Sequence, residues 1–171
     1  MSANATILVA DDDQNDVFFL RRAFQKSGMD HSVVHVSDGQ EAIDYLRGEA
    51  NYGDRSRFPL PSLMLLDLKM PKVDGFDVLT WLKSRPELSP LPVVVLSSSS
   101  REDDIQRARL LGAADYRVKP ADFEQLQALA HDVATRWLTT EELSTSKWKC
   151  QCSVSVLEAT SVVSRIGGTS G

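Results

Sequence analysis

Two short apolar runs, each stopping abruptly at aspartate, constrain this chain more than any other feature. Thr6-Ile7-Leu8-Val9-Ala10 runs straight into Asp11-Asp12-Asp13, and Leu63-Met64-Leu65-Leu66 runs into Asp67. Four or five apolar residues without polar alternation suit a strand covered on both faces, as in a parallel sheet. Parallel strands deliver their carboxyl ends to one edge, so carboxylates placed after two of them meet there. Such carboxylates repel one another unless a cation offsets them, and their hard oxygens suit a hard divalent ion.

Five runs read as strands: 6–10, 32–36, 62–66, 92–96 and 115–118. The segments between them carry helical spacing. Val17, Leu20 and Phe24 fall three and four apart, and Gly28 stops that helix. Asp38-Gly39 opens a second, with Ala42, Ile43 and Leu46 on one side; a third spans 77–84 and ends before Pro86. Ile105, Ala108 and Leu111 mark a fourth, stopped by Gly112, and 122–138 forms the last, carrying Phe123, Leu126, Leu129, Val133 and Trp137. Strand and helix alternate five times, which predicts an α/β fold built on a doubly wound five-stranded parallel sheet. The one disproportionate connection, 48–61, is expected to be an extended loop.

The 171 residues suffice for one domain with some chain to spare, and 42% hydrophobic residues can supply its core. The folded domain is expected over 1–138. Residues 139–171 are rich in Ser and Thr and end in Gly and Ser, so a flexible or weakly packed tail is expected there, with 153–156 alternating like an edge strand. A net charge of -5 argues against a nucleic-acid partner, which wants a basic stripe. No apolar stretch approaches the ~20 residues of a membrane span and no signal-peptide pattern opens the chain, so a cytoplasmic location is expected. Cys150 and Cys152 have no second pair to complete a zinc site. His31, His35 and His131 are scattered without ligand spacing and read as structural or surface residues.

Four strand ends supply polar groups: Asp11-Asp12-Asp13, Asp67, Ser97 and Lys119. On adjacent parallel strands they converge in one shallow pocket. Asp11 and Asp12 would hold Mg2+, with Asp67 adding a carboxylate oxygen and the backbone carbonyl of Lys69 another ligand. Asp67 then keeps a free oxygen as a nucleophile for phosphorus. Lys119 would pair with Asp67 at rest and with an added phosphoryl group afterwards. Ser97 would donate its hydroxyl to a phosphoryl oxygen, and Ser98 is small enough to leave access open.

This ordered set resembles the receiver domain of two-component response regulators. It comprises the acidic pair after the first strand, Asp67 followed by Met70-Pro71-Lys72-Val73-Asp74-Gly75, Ser97 after Val93-Val94-Val95-Leu96, and Lys119-Pro120. Spacings of 30 positions from Asp67 to Ser97 and 52 to Lys119 are the family's own. The resemblance covers 6–138 and implies a flavodoxin-like receiver fold. It implies that Asp67 accepts a phosphoryl group from a sensor histidine kinase or phosphotransfer protein, and that such a domain also phosphorylates itself from small donors and dephosphorylates itself. Asp11 and Asp12 would bind magnesium, Asp12 more directly. Tyr116 would be the switch aromatic, moving from exposed to buried. That movement repacks the face of the fourth helix, fifth strand and fifth helix, which dimerises or binds the output partner. The long 48–61 segment is similar to that of single-domain regulators partnering bacterial phytochromes. No DNA-binding output is expected from 139–171, which is short and not basic.

Two departures from the family's pattern stand out. Asp13 follows the usual acidic pair and reads as a helix cap, and Ala121 stands where a bulky apolar residue is frequent, leaving Phe123 to take over its packing. Ser99 or Ser100 reads as the cap of a helix beginning at Arg101. Two alternatives carry different expectations. An aspartate-nucleophile phosphatase of the dehalogenase type wants threonine where Asn15 stands, and an unphosphorylated pseudo-receiver acting as a binding module should have lost site residues, whereas none is missing.

Overall fold

The computed structural model describes residues 5–28 and 31–138. Its five strands are β1 (Thr6–Ala10), β2 (Ser32–Val36), β3 (Leu63–Leu66), β4 (Val93–Ser97) and β5 (Asp115–Val118). Its five helices are α1 (Gln14–Lys26), α2 (Gly39–Arg47), α3 (Gly75–Lys83), α4 (Glu102–Leu110) and α5 (Phe123–Trp137). All strands run parallel in the order β2-β1-β3-β4-β5. The chain therefore reverses its winding between β1 and β3, which opens a crevice at the carboxyl edge where those two strands end. The doubly wound five-stranded parallel sheet expected from the alternation is the fold.

Continuous apolar runs became the strands with two covered faces. Every residue of β1, β3 and β4 is buried, whereas β2 and β5, the edge strands, are partly exposed. Leu8, Met64, Val93 and Val95 meet α2, α3 and α4 residues such as Tyr45, Val78 and Ala108 on one face. Ile7, Val9, Leu65 and Val94 meet Leu20 and Phe24 of α1 and Val133 of α5 on the other. Phe123 joins that second core from its margin, its ring 6.3 Å from Phe19 with Lys26 over its face.

Several boundaries differ from expectation by one or two residues. Pairing starts at Leu63 rather than residue 62, and β4 starts at Val93 because Pro92 has no N–H to offer the ladder. That strand instead reaches Ser97, which pairs with Val118. Helix α3 begins at Gly75 rather than 77, because Asp74 caps it by accepting from the Asp77 N–H at 2.8 Å. Asp122 caps α5 in the same way instead of beginning it. Helix α4 starts at Glu102 with Arg101 as its non-bonding cap; Ser99 lies further back, donating its hydroxyl to Asp104 at 2.5 Å.

The 48–61 segment is more ordered than an extended loop. A short 3-10 turn at Ala50–Tyr52 brings Tyr52 against Tyr45 and Phe58, with ring centroids 5.0 and 5.1 Å away. Arg55 donates to the carbonyls of Tyr45 and Leu46 at 2.8 Å each, tying the segment to the end of α2, where the Tyr45 carbonyl also accepts from the Gly48 N–H at 3.1 Å. Among the described residues no helix is long and apolar enough to cross a membrane. The expected tail at 139–171, its edge strand at 153–156, and Cys150 and Cys152 lie outside the described residues.

Candidate functional site at the carboxyl edge of the sheet

The end of β1 enters the site through Asp11, whose N–H bonds the Val36 carbonyl of β2 at 3.1 Å. One Asp11 carboxylate oxygen accepts from the Asp13 N–H at 3.0 Å, which bends the chain away from the sheet. Asp13 then caps α1, accepting from the Asn15 N–H at 2.8 Å, so its carboxylate is committed to the helix as expected. His35 of β2 bonds the Asp11 carbonyl through Nε2 at 2.8 Å, a structural role in keeping with the reading of the scattered histidines, although spacing does not reveal this partner.

Asp67 follows β3 and is buried, its N–H tied to the Ala10 carbonyl at 2.9 Å. Its Oδ1 accepts from the Leu68 N–H at 2.7 Å. Gly75 packs directly over this bend: a Cβ there would sit 2.3 Å from the Asp67 carbonyl oxygen, so only glycine lets α3 start so close to the strand end. Gly39 plays the same part on the next loop, where a Cβ would lie 2.3 Å from the Val73 carbonyl that its own N–H bonds at 3.1 Å. Asp38 caps α2 and pairs with Lys72, joining the β2–α2 and β3–α3 loops. Lys72 holds a left-handed backbone at φ 64°, a conformation uncommon outside glycine.

Lys119 projects from just beyond β5. Its Nζ lies 2.8 Å from Asp11 Oδ2, 2.8 Å from Asp16 Oδ2 and 3.4 Å from Asp67 Oδ2. Burial pushes the Lys119 ammonium down, but its hydrogen bonds to Asp11 and Asp16 outweigh this and hold it above the usual lysine value. Burial raises the Asp11 carboxyl above its usual value despite the opposing bonds from Lys119 and the Asp13 N–H. The site is thus a desolvated carboxylate pair bridged by one ammonium, with Asp12 exposed beside it.

Asp11, Asp12 and Asp67 each offer an oxygen within 4.8 Å of the others. Three convergent carboxylates are the hard donor set that Mg2+ or Mn2+ takes, and Lys119 marks where a positive charge is already welcome. Lys69 is exposed on the loop after Asp67. Ser97 is fully buried and its Oγ accepts from the Ser99 N–H at 3.3 Å, while Ser98 is exposed. Tyr116 is turned inward, its hydroxyl donating to the Ser99 carbonyl at 2.8 Å, so the ring already occupies the buried position expected only after phosphorylation. All the strand-end residues singled out from the sequence lie on this edge or its loops. Asp16 was missed: a lone acid in a helix's first turn signals only a favourable helix dipole.

A family model described as the response regulator receiver domain matches residues 7–131. The chain belongs to the response regulator receiver family. It is 38% identical over 132 residues to the probable methanogenesis regulatory protein FilR2 of Methanothrix harundinacea, covering 77% of this chain and 83% of that one. It is 33% identical to the response regulator Rcp1 of Synechocystis, covering 80% of this chain and 91% of Rcp1. The Mn2+-bound form of Rcp1 superposes with a TM-score of 0.71 at 32% identity, over 80% of this chain and 96% of Rcp1. The phosphorylated cyanobacterial phytochrome response regulator RcpA gives 0.74 at 40% identity, over 81% of this chain and 96% of RcpA. The receiver family and a kinship with phytochrome-associated regulators are therefore established together.

Proposed function

We propose that this receiver takes a phosphoryl group on Asp67 from a phytochrome-type sensor histidine kinase or a phosphotransfer protein. It then signals through a face that responds to that charge. The observation that carries this reading is Asp67 itself, a buried carboxylate with one oxygen toward Lys119, beside an acidic pair at the switch point of the sheet. A carboxylate oxygen of Asp67 attacks phosphorus, the bond to the donor's imidazole nitrogen breaks, and that nitrogen leaves with the electron pair. Asp11, Asp12, Asp67 and the Lys69 carbonyl would hold Mg2+, which when bound offsets charge on the transferring group. Lys119 neutralises a second phosphoryl oxygen, and the Ser97 hydroxyl donates to a third once it leaves the Ser99 N–H. The N-termini of α1, α3 and α5 all open onto this edge, so their dipoles favour the added negative charge.

Movement of Ser97 pulls on the β4–α4 loop, to which the Tyr116 hydroxyl is bonded. The inward ring holds that loop in one arrangement, and phosphorylation raises the population of that arrangement by ligating Ser97. The output face is the α4–β5–α5 surface, where Leu110 and Val118 stand exposed, and it serves a homodimer or a downstream protein. The domain ends near 138, with 139–171 as an appended tail, and the chain works in the cytoplasm as a phosphoacceptor rather than a turnover enzyme. The similar RcpA is by name a phytochrome response regulator, which supports the choice of kinase.

The test is phosphotransfer. A phytochrome-type histidine kinase carrying labelled phosphate on histidine is mixed with this chain and magnesium, and the label is followed by gel. Label should pass to the chain within minutes and then decay to inorganic phosphate. Label that stays on every phytochrome-type kinase tried would overturn the choice of donor.

A further inference from the structure

The Lys119 ammonium has three N–H donors and three carboxylates around it, yet the three contacts are unequal. Asp16, in the first turn of α1, lies as close as Asp11 at 2.8 Å, and Asp67 is the distant partner at 3.4 Å. The side chains of Asp11 and Asp67 are 5% and 8% exposed, whereas that of Asp16 is 45% exposed. Asp16 also stands outside the trio of carboxylates whose oxygens converge as a metal-ligand set.

We infer that Asp16 is a positioning residue acting through Lys119: it draws the ammonium away from Asp67 and competes with an incoming phosphoryl group for it. This rests on the reading of Asp67 as the phosphoacceptor. A phosphoryl group brings three strong acceptor oxygens, and Lys119 must surrender a partner to meet them. Releasing Asp11 would leave a buried carboxylate with a bound magnesium, shared with Asp12 and Asp67, as its one compensating charge, which costs more. Releasing Asp16 returns a half-exposed carboxylate to water, which costs little. Asp16 is therefore the partner given up, and its charge opposes phosphorylation by the strength of the bond that breaks.

The test compares Asp16→Asn with Asp13→Asn. Both remove one negative charge from the same edge, but Asp13 caps α1, a role asparagine fills equally well, and its side chain is bonded to Asn15 rather than Lys119. Intact mass follows phosphoryl gain from acetyl phosphate and magnesium over a range of donor concentrations, then its loss after the donor is removed. Asp16→Asn should raise the ratio of phosphorylated to free protein by about fivefold, the scale of a half-exposed charge-assisted hydrogen bond. The gain should appear in the rate at saturating donor rather than in the donor concentration needed, and Asp13→Asn should show clearly less. Equal behaviour of the two variants, or no change in Asp16→Asn, overturns the inference.

A stability cycle in magnesium-free buffer decides the holding of Lys119 without phosphorylation. Asp16→Asn should lower the melting temperature of the native protein and leave that of Lys119→Met unchanged; equal shifts in both backgrounds overturn the inference. A native protein that takes no phosphoryl group would instead contradict the acceptor reading, while the cycle would still report on Asp16.

Discussion

Asp67→Asn is expected to lose phosphoryl incorporation entirely under conditions where the native protein gains one group from acetyl phosphate and magnesium. An amide is close to isosteric with a carboxylate but has no anionic oxygen to attack phosphorus. The fold should survive the change. The amide oxygen can still accept from the Leu68 N–H, as Asp67 Oδ1 does at 2.7 Å, and Lys119 keeps both of its shorter contacts, to Asp11 and Asp16. One of two mutually repelling buried carboxylates is removed, so stability in magnesium-free buffer should be equal to that of the native protein or higher. Intact mass and a thermal melt read the two halves of this prediction separately. Incorporation that persists in a folded Asp67→Asn protein would move the acceptor elsewhere.

Lys119→Met should be the most destabilising change at the site. It keeps an apolar stem of similar length but leaves Asp11 and Asp67, both buried, facing each other with no cation between them. Removing one partner of a buried charge cluster costs about 3 kcal/mol. Excess magnesium should restore much of the loss by supplying positive charge to the same oxygens, and it should stabilise the native protein less. The loss also depends on pH in a defined direction. Burial already holds the Asp11 carboxyl above its ordinary value near 3.8, and removal of Lys119 takes away the bond that most opposes this rise. A carboxyl raised in the folded state binds its proton more tightly folded than unfolded. Its contribution is full below the unfolded value and is lost as pH climbs through the raised folded value. The deficit of Lys119→Met should therefore be largest near neutral pH and shrink in mild acid, as Asp11 takes up a proton. Denaturant melts at several pH values check it, and a deficit independent of pH would contradict this electrostatic account.

Much of the fold could be read from residue order because the strands are buried on both faces and leave unbroken apolar runs. β1 matches the sequence reading to the residue, and its terminal aspartates mark the edge where the site lies. Boundaries shifted where a side chain took a job that pattern does not display. Asp74 and Asp122 cap helices by accepting a single N–H each, and this moved two helix starts. The 48–61 segment looked irregular because its order comes from three rings and Arg55 meeting across separations of six to ten positions, with no period to detect. At the site, Asp11, Asp12, Asp67, Ser97 and Lys119 were legible because each ends or follows a strand. Asp16 was not, since its link to Lys119 spans 103 positions and depends on α1 packing against α5, next to the loop that carries Lys119. The inward Tyr116 likewise follows from a bond to the Ser99 carbonyl, a backbone group that no sequence pattern marks.

The central claim is that Asp67 carries the phosphoryl group, and chemical trapping tests it most directly. The native protein is treated with acetyl phosphate and magnesium, then reduced with borohydride, which converts an aspartyl phosphate to homoserine. Peptide mass spectrometry should find homoserine at position 67, dependent on both donor and magnesium. Homoserine at Asp11, Asp12 or Asp16 instead, or none anywhere in the chain, would contradict the account.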